Sequence, residues 1–137
     1  MRGASAVQRI LEARPELAVR VFVVWEPVIA TDVAPPTTST LRRIHDCRAA
    51  QFWDHDRVLS KVIVRSVLAA PDRYGLADEV YEDSIVWDTV ALFPPGLRWE
   101  ADFPVPTYYG FPVVEAAAGL SDSLARARAH GSGSSTP

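Results

Sequence analysis

The sequence predicts an α/β fold, and three segments carry that prediction. Apart from Arg20, residues 19–25 are β-branched or aromatic on both faces, which is typical of a strand that is covered on both sides. Residues 58–68 place their apolar side chains on one stripe of a helix. Residues 94–96, Pro-Pro-Gly, follow an apolar run and predict a hairpin turn. At 137 residues and 48% hydrophobic content, the chain is long enough for one domain with one core.

Before residue 70 the predicted elements alternate between helix and strand. Apolar residues at helical spacing predict a first helix over residues 4–13. A short helix is expected over residues 41–44, with a Thr or Ser as its N-cap. Residues 49–53 are predicted as a second strand, and Asp54 or Asp56 as the cap of the helix that follows.

The next segment is predicted to form a hairpin. Residues 71–83 are polar and predict a loop, and residues 84–93 predict a strand. The turn at 94–96 then favours pairing of this strand with residues 97–99. An alternative register pairs it with a later strand over residues 107–114.

The predicted domain covers residues 1–130. Its last helix is expected to open near Leu120, with Ser121 as a plausible cap. Residues 131–137 are rich in Ser and Gly and are predicted to form a disordered tail.

Composition bears on location and on partners. A net charge of −3 offers no basic excess for neutralising phosphates, so neither nucleic acid nor a membrane is expected as a partner. The single Cys cannot form an intramolecular disulfide, which favours a reducing cytosol. No apolar run approaches the roughly 18 residues of a membrane span, and the start does not have the pattern of a signal peptide. We expect a soluble, cytoplasmic protein without a cofactor.

The order of elements over residues 19–99 resembles the thioredoxin-like proteins of the thiol-disulfide oxidoreductase group. The likeness rests on the central strand, the Phe-Trp-Asp strand, the helix after it, and the hairpin Ala-Leu-Phe-Pro-Pro-Gly-Leu-Arg. It implies a mostly parallel central sheet with helices on both faces and a C-terminal β-hairpin. The family's Cys-x-x-Cys lies after a first strand, and this sequence contains neither that strand nor that motif.

Three functions are compatible with this resemblance. The first is a thioredoxin-like domain without its own redox dithiol, a non-catalytic or truncated relative of the oxidoreductases. The second is an active dithiol oxidoreductase whose Cys-x-x-Cys lies upstream of Met1. The third is a protein-interaction module, because a sheet without its first strand is expected to have an unpaired edge that a protein partner or a second copy could cover.

Two places are candidates for substrate binding. Trp25 and Glu26 follow the central strand, at the end of the sheet where open α/β folds bind ligands. Val105-Pro106-Thr107 matches the Ile-Pro-Thr pattern that precedes the family's hairpin, so the resemblance implies that Pro106 is a cis-proline.

Cys47 is the one candidate for thiol chemistry, since His45 and Arg48 beside it could favour the thiolate. The alternative is a half-buried free Cys at a helix end. His45, Cys47 and His55 lie within a short stretch that also contains Asp residues, which makes a metal site conceivable. Their spacing matches no known ligand pattern, so no metal is expected.

Overall fold

A computed structural model describes residues 2–29, 31–75 and 85–131, and over these residues the protein is a mixed α/β structure. Its helices are Arg2–Ala13 (α1), Thr38–Leu41 (α2), Val58–Ala69 (α3), Pro71–Tyr74 (α4) and Val113–Gly131 (α5). Its strands are Val21–Trp25 (β1), Ala49–Trp53 (β2), Val90–Leu92 (β3) and Tyr108–Gly110 (β4). None of the helices in these ranges combines the length and the apolar character needed to cross a bilayer.

The strands form two separate pairs. β1 runs parallel to β2, with Val21 beside Ala49 and Trp25 beside Trp53. β3 runs antiparallel to β4, with Ala91 opposite Tyr109. Within the described ranges no further strand joins the two pairs. The mostly parallel central sheet expected from the sequence is therefore replaced by one parallel and one antiparallel pair.

Helix α3 covers one face of the β3–β4 pair. The buried side chains of Ile63, Val64 and Val67 pack with Phe103, which is 2% exposed. Ala91 and Phe93 from β3 and its end, and Tyr109 from β4, join this cluster. The alternation of residues along β3 thus sends every second side chain toward α3.

Helices α1 and α5 lie on the other face of the same pair. The buried residues there are Leu17, Leu120 and Leu124, and Val90, Leu92 and Tyr108 pack against them. The hydroxyl of Tyr108 donates to the carbonyl of Ala116 at 2.8 Å. Gly119 makes this fit possible, because a Cβ atom there would lie 2.6 Å from the Tyr108 hydroxyl. Helices therefore cover both faces of β3–β4, whereas the sequence predicted them on the faces of a mostly parallel central sheet.

The β1–β2 pair is attached to α1 by polar contacts. The guanidinium of Arg48 donates to the carbonyls of Leu11, Arg14 and Leu17, at 2.7, 2.9 and 3.1 Å. These carbonyls lie at the end of α1 and in the turn after it, and each also accepts one backbone N–H there. Asp46 holds the guanidinium in place by accepting from its Nε and Nη2 at 2.8 and 2.7 Å.

Most of the predicted elements are confirmed, with shifted bounds. α1 includes residues 4–13, β2 coincides with 49–53, and α3 covers 58–68. β1 is shorter than the predicted 19–25. The short second helix lies over Thr38–Leu41 instead of 41–44, because Thr37 caps it by accepting from the backbone of Thr40.

The predicted hairpin is wrong in its pairing. The turn exists, since Gly96 has a φ of 80° and Leu97 donates to the carbonyl of Pro94. Residues 97–99 form no strand after it, and β3 pairs instead with Tyr108–Gly110, as in the alternative register. The physical reason is packing, because Phe103 must follow the turn closely enough to fill the core under α3.

The C-terminal predictions also need correction. α5 begins at Val113 rather than near Leu120, because Val113, Ala116, Leu120 and Leu124 form one buried stripe at helical spacing. A short helix, α4, occupies the start of the predicted loop over 71–83. Residues 76–84 and 132–137 lie outside the described ranges, and with them part of the predicted loop, the start of the predicted strand and most of the predicted tail.

Candidate binding surface at strand β1

Trp25, a predicted binding residue, is half-buried, and its polar atom is engaged inside the fold. Its indole N–H donates to Oε1 of Gln51 on β2 at 3.0 Å. The amide of Gln51 donates in turn to the carbonyls of Leu41 and Ile44, at 2.9 and 2.8 Å. These bonds fasten the segment after α2 to one face of the β1–β2 pair, so Trp25 has a structural role.

Glu26, the second predicted residue, lies directly after β1 and bonds to the first turns of α3. Its carboxylate accepts from the hydroxyl of Ser60 at 2.5 Å and from the backbone N–H of Ser60 at 3.2 Å. The same hydroxyl accepts from the backbone N–H of Val86 at 2.9 Å. One serine, 2% exposed, thereby ties the end of β1 to the segment that leads into β3.

The surroundings of Glu26 shift its ionisation. Burial raises the pKa of Glu26 above its ordinary value, because desolvation disfavours the charged carboxylate. The hydrogen bonds from Ser60 act in the opposite direction, and the charge of Asp54 nearby adds to the increase. Arg57 lowers the pKa slightly. Glu26 is therefore a carboxyl whose charged form is both partly desolvated and specifically hydrogen-bonded.

The backbone of β1 has one paired edge and one open edge. Val21 donates to Arg48, and Asp54 donates to Trp25, so odd-numbered residues of β1 point their N–H and C=O groups toward β2. In a parallel pair, the residues between them point these groups to the opposite side. Phe22 and Val24 therefore present donors and acceptors on the second edge, and no described residue bonds to them there.

One face of the β1–β2 pair is apolar and open to solvent. Phe22 and Phe52 are 66% and 51% exposed, and their ring centroids lie 6.2 Å apart. The register places Val24 on this same face, between them and the start of α3. Such a contiguous pair of exposed aromatic rings is a feature of interaction surfaces.

A groove of about 440 Å³ continues this face alongside α3. Six of its lining residues are apolar, and the two charged ones are both acidic. They are Val24, Val58, Leu59, Val62, Trp99, Ala101, Asp54 and Glu100. Asp54 accepts from the backbone N–H of Leu59 at 2.8 Å and so satisfies a donor in the first turn of α3, but the N-cap residue is Arg57 and not Asp54 or Asp56 as predicted. The groove therefore has an apolar lining with two acidic residues at its rim, and the guanidinium of Arg65 lies beside it, donating to the carbonyl of Ala101 at 3.3 Å.

Cys47 lies in the turn before β2 and is exposed, so it is not the half-buried thiol that was the alternative. His45 is also exposed, and its Nε2 lies 3.7 Å from Glu12 Oε1 and 3.3 Å from the side-chain nitrogen of Gln8. The guanidinium of Arg48 donates hydrogen bonds to Asp46 and to carbonyls at the end of α1. Both His45 and Arg48 therefore have hydrogen-bond or ion-pair partners other than Cys47.

The metal hypothesis receives no support from the placement of its residues. His55 pairs with the adjacent Asp56 at 3.0 Å, while His45 faces Glu12. In the ranges that the structure describes, no three His, Cys, Asp or Glu side chains are grouped so as to hold a metal ion.

Pro106 is half-buried in the segment that leads into β4. The one cis peptide bond in the described residues joins Phe111 to Pro112, and the bond between Val105 and Pro106 is trans. The expectation of a cis-proline at Pro106 is therefore wrong.

Comparison of the chain with known protein families, with curated proteins and with solved structures finds no match.

Several residues of this surface were not among the predicted site residues. Ser60 falls within the predicted helix of residues 58–68, and a serine within such an apolar helical segment is a signal for a buried hydrogen bond. The predicted hairpin strand over residues 97–99 includes Trp99, which lines the groove instead, and Glu100 falls outside every predicted element. The open edge of β1 was expected in general terms, but only the register identifies Phe22 and Val24 as its residues.

Proposed function

We propose that this chain is a thioredoxin-like domain without a redox dithiol of its own, which acts non-catalytically by binding another protein. The single Cys of the sequence supports the non-catalytic part, since dithiol exchange needs a second thiol to resolve the mixed disulfide. The open backbone edge at Phe22 and Val24 carries the binding part.

The arrangement of elements supports the thioredoxin-like assignment. A helix precedes the parallel strands, an antiparallel pair precedes the last helix, and helices flank that pair on both faces. The first and last helices pack on one face, and α3 packs on the other. The resemblance implies this order of elements and a C-terminal antiparallel pair, but it places the helices on the two faces of a mostly parallel sheet, which the described strands do not form.

One observation favours a second candidate, an active oxidoreductase whose Cys-x-x-Cys lies upstream of Met1. Both ends of β1 are connected to the segment that runs through β3: Val19 packs in one cluster with Val90, and Glu26 is bonded through Ser60 to Val86. A strand supplied upstream could pair with the open edge of β1, which has no partner among the described strands.

Insulin-disulfide reduction separates the two candidates. We expect the 137-residue chain to reduce insulin no faster than the dithiothreitol background, and its Cys47→Ser variant to behave identically. The protein isolated from its native cells is tested in parallel, and its intact mass is compared with 15.0 kDa. Reduction of insulin by a heavier native protein would establish the second candidate in place of the first.

A further inference from the structure

We propose that the open edge of β1 takes an extended, apolar segment of another protein as an added strand, with a basic residue of that segment beside Asp54 and Glu100. This inference rests on the proposed protein-binding function and specifies the chemistry of the partner. It combines three observations: the backbone edge, the groove and the charge of its rim.

The backbone edge selects an extended partner. Phe22 and Val24 each offer an N–H and a C=O at the spacing that matches the backbone groups of another extended strand. A bound strand in this place would also bring its own side chains next to the exposed ring of Phe22.

The groove favours apolar side chains in the bound segment. Val24 belongs to both features, because its backbone lies on the open edge and the residue lines the groove. Side chains of an added strand alternate between the two faces of a sheet, so every second one would lie on the Val24 face. There it meets Val58, Val62 and Trp99, of which Val58 and Trp99 are 57% and 43% exposed.

The acidic rim of the groove favours a basic residue in the bound segment and disfavours a second copy of this protein as the occupant. Asp54 and Glu100 are the charged residues of the groove lining, and no basic residue lies among them. Glu100 is exposed. A second copy would bring another chain of net charge −3 to this acidic rim, whereas a basic segment is complementary to it.

The test uses a short blocked peptide that alternates valine with threonine and begins with lysine, titrated into the 137-residue protein. Binding is followed by NMR, through protection of the Phe22 and Val24 amides from exchange. A peptide with glutamate in place of the lysine should bind about two- to fivefold more weakly, the range expected for exposed charges. A peptide with N-methyl groups on every second amide should not bind, because it cannot form the strand ladder.

The variant Glu100→Lys should reverse the preference between the lysine and glutamate peptides. Asp122→Lys is the matched control, since Asp122 is an exposed carboxylate on α5, and it should leave the preference unchanged. Any of three results would overturn the proposal: equal binding of the N-methylated peptide, no binding of the lysine peptide at millimolar concentration, or a dimer in sedimentation that protects the same amides. Insulin reduction is read separately, so catalysis by the chain would contradict the proposed function without deciding peptide binding.

Discussion

The two strand pairs of this protein are stabilised in different ways. The β3–β4 pair lies between α3 on one face and α1 with α5 on the other, and buried apolar side chains fill both interfaces. The β1–β2 pair has an exposed aromatic face and is attached through Arg48, Gln51 and Glu26, all of which make hydrogen bonds. The first pair therefore depends on packing, while the second depends on specific polar contacts and keeps surface available for binding.

The largest effect is expected at Phe103, the centre of the packed half. Its ring contacts those of Tyr74, Phe93 and Trp99, with centroid separations of 5.9, 5.8 and 5.4 Å. Phe103→Ala should lower the free energy of unfolding by about 3–5 kcal/mol, because it leaves a cavity under α3. The matched control is Phe52→Ala in the other half, and an equal loss in the two variants by urea denaturation would contradict the comparison.

Ser60→Ala tests the polar attachment of the β1 end. The variant leaves the Val86 N–H without its acceptor and the Glu26 carboxylate without one donor, so we expect a loss of about 1–3 kcal/mol. Chemical denaturation measures it. Ser66→Ala is a useful comparison, since the Ser66 hydroxyl accepts from Phe103 within the packed half.

The same variant should change the titration of Glu26. Because the hydrogen bond from the Ser60 hydroxyl lowers the pKa of Glu26, its loss should move the already raised pKa further up, while the bond from the backbone N–H of residue 60 remains. Because the pKa of Glu26 is higher in the folded protein than in the unfolded chain, its carboxyl group adds to the free energy of unfolding below the unfolded pKa. This contribution is lost as pH rises through the folded pKa. Side-chain carboxyl NMR over a pH series measures this pKa. A lower pKa of Glu26 in Ser60→Ala than in the parent protein would contradict the prediction.

Asp46 should make the attachment of β2 to α1 sensitive to acid. The hydrogen bonds from Arg48 lower the pKa of Asp46 from 3.8 to about 2. A lowered pKa stabilises the fold above the unfolded value, so this stabilisation is complete above about pH 4 and is lost as pH falls through about 2. Asp46→Asn should melt at a lower temperature than the parent at neutral pH, and the two melting temperatures should converge in that acid interval. A constant difference down to pH 2 would show that the charge of Asp46 is not the cause.

The smallest effect is expected at Phe22, on the open face. Its side chain is 66% exposed, so Phe22→Ala should cost less than about 1 kcal/mol of stability. The same change should weaken binding of the lysine peptide, because the ring lies beside the open edge. Loss of stability comparable to that of Phe103→Ala would mean that Phe22 is part of the core and unavailable to a partner.

Local patterns in the sequence predicted the elements, while pairing and polar contacts depended on distant residues. The apolar stripe of α3 and the β-branched run of β1 each lie within one short segment, and both were predicted. The partner of β3 could not be read from the Pro-Pro-Gly turn, because packing against α3 and α5 brings Ala91 opposite Tyr109. Glu26 was a candidate from its place after β1, but its partner Ser60 is 34 positions away in the chain.

The measurement that tests the central claim most directly is amide hydrogen exchange along β1, in the 137-residue protein without peptide. The account predicts alternation within one strand: slow exchange at Val21, Val23 and Trp25, whose N–H groups face β2, and fast exchange at Phe22 and Val24. Slow exchange at Phe22 and Val24, equal to that of their neighbours, would contradict an open edge on β1 and with it the proposed binding surface.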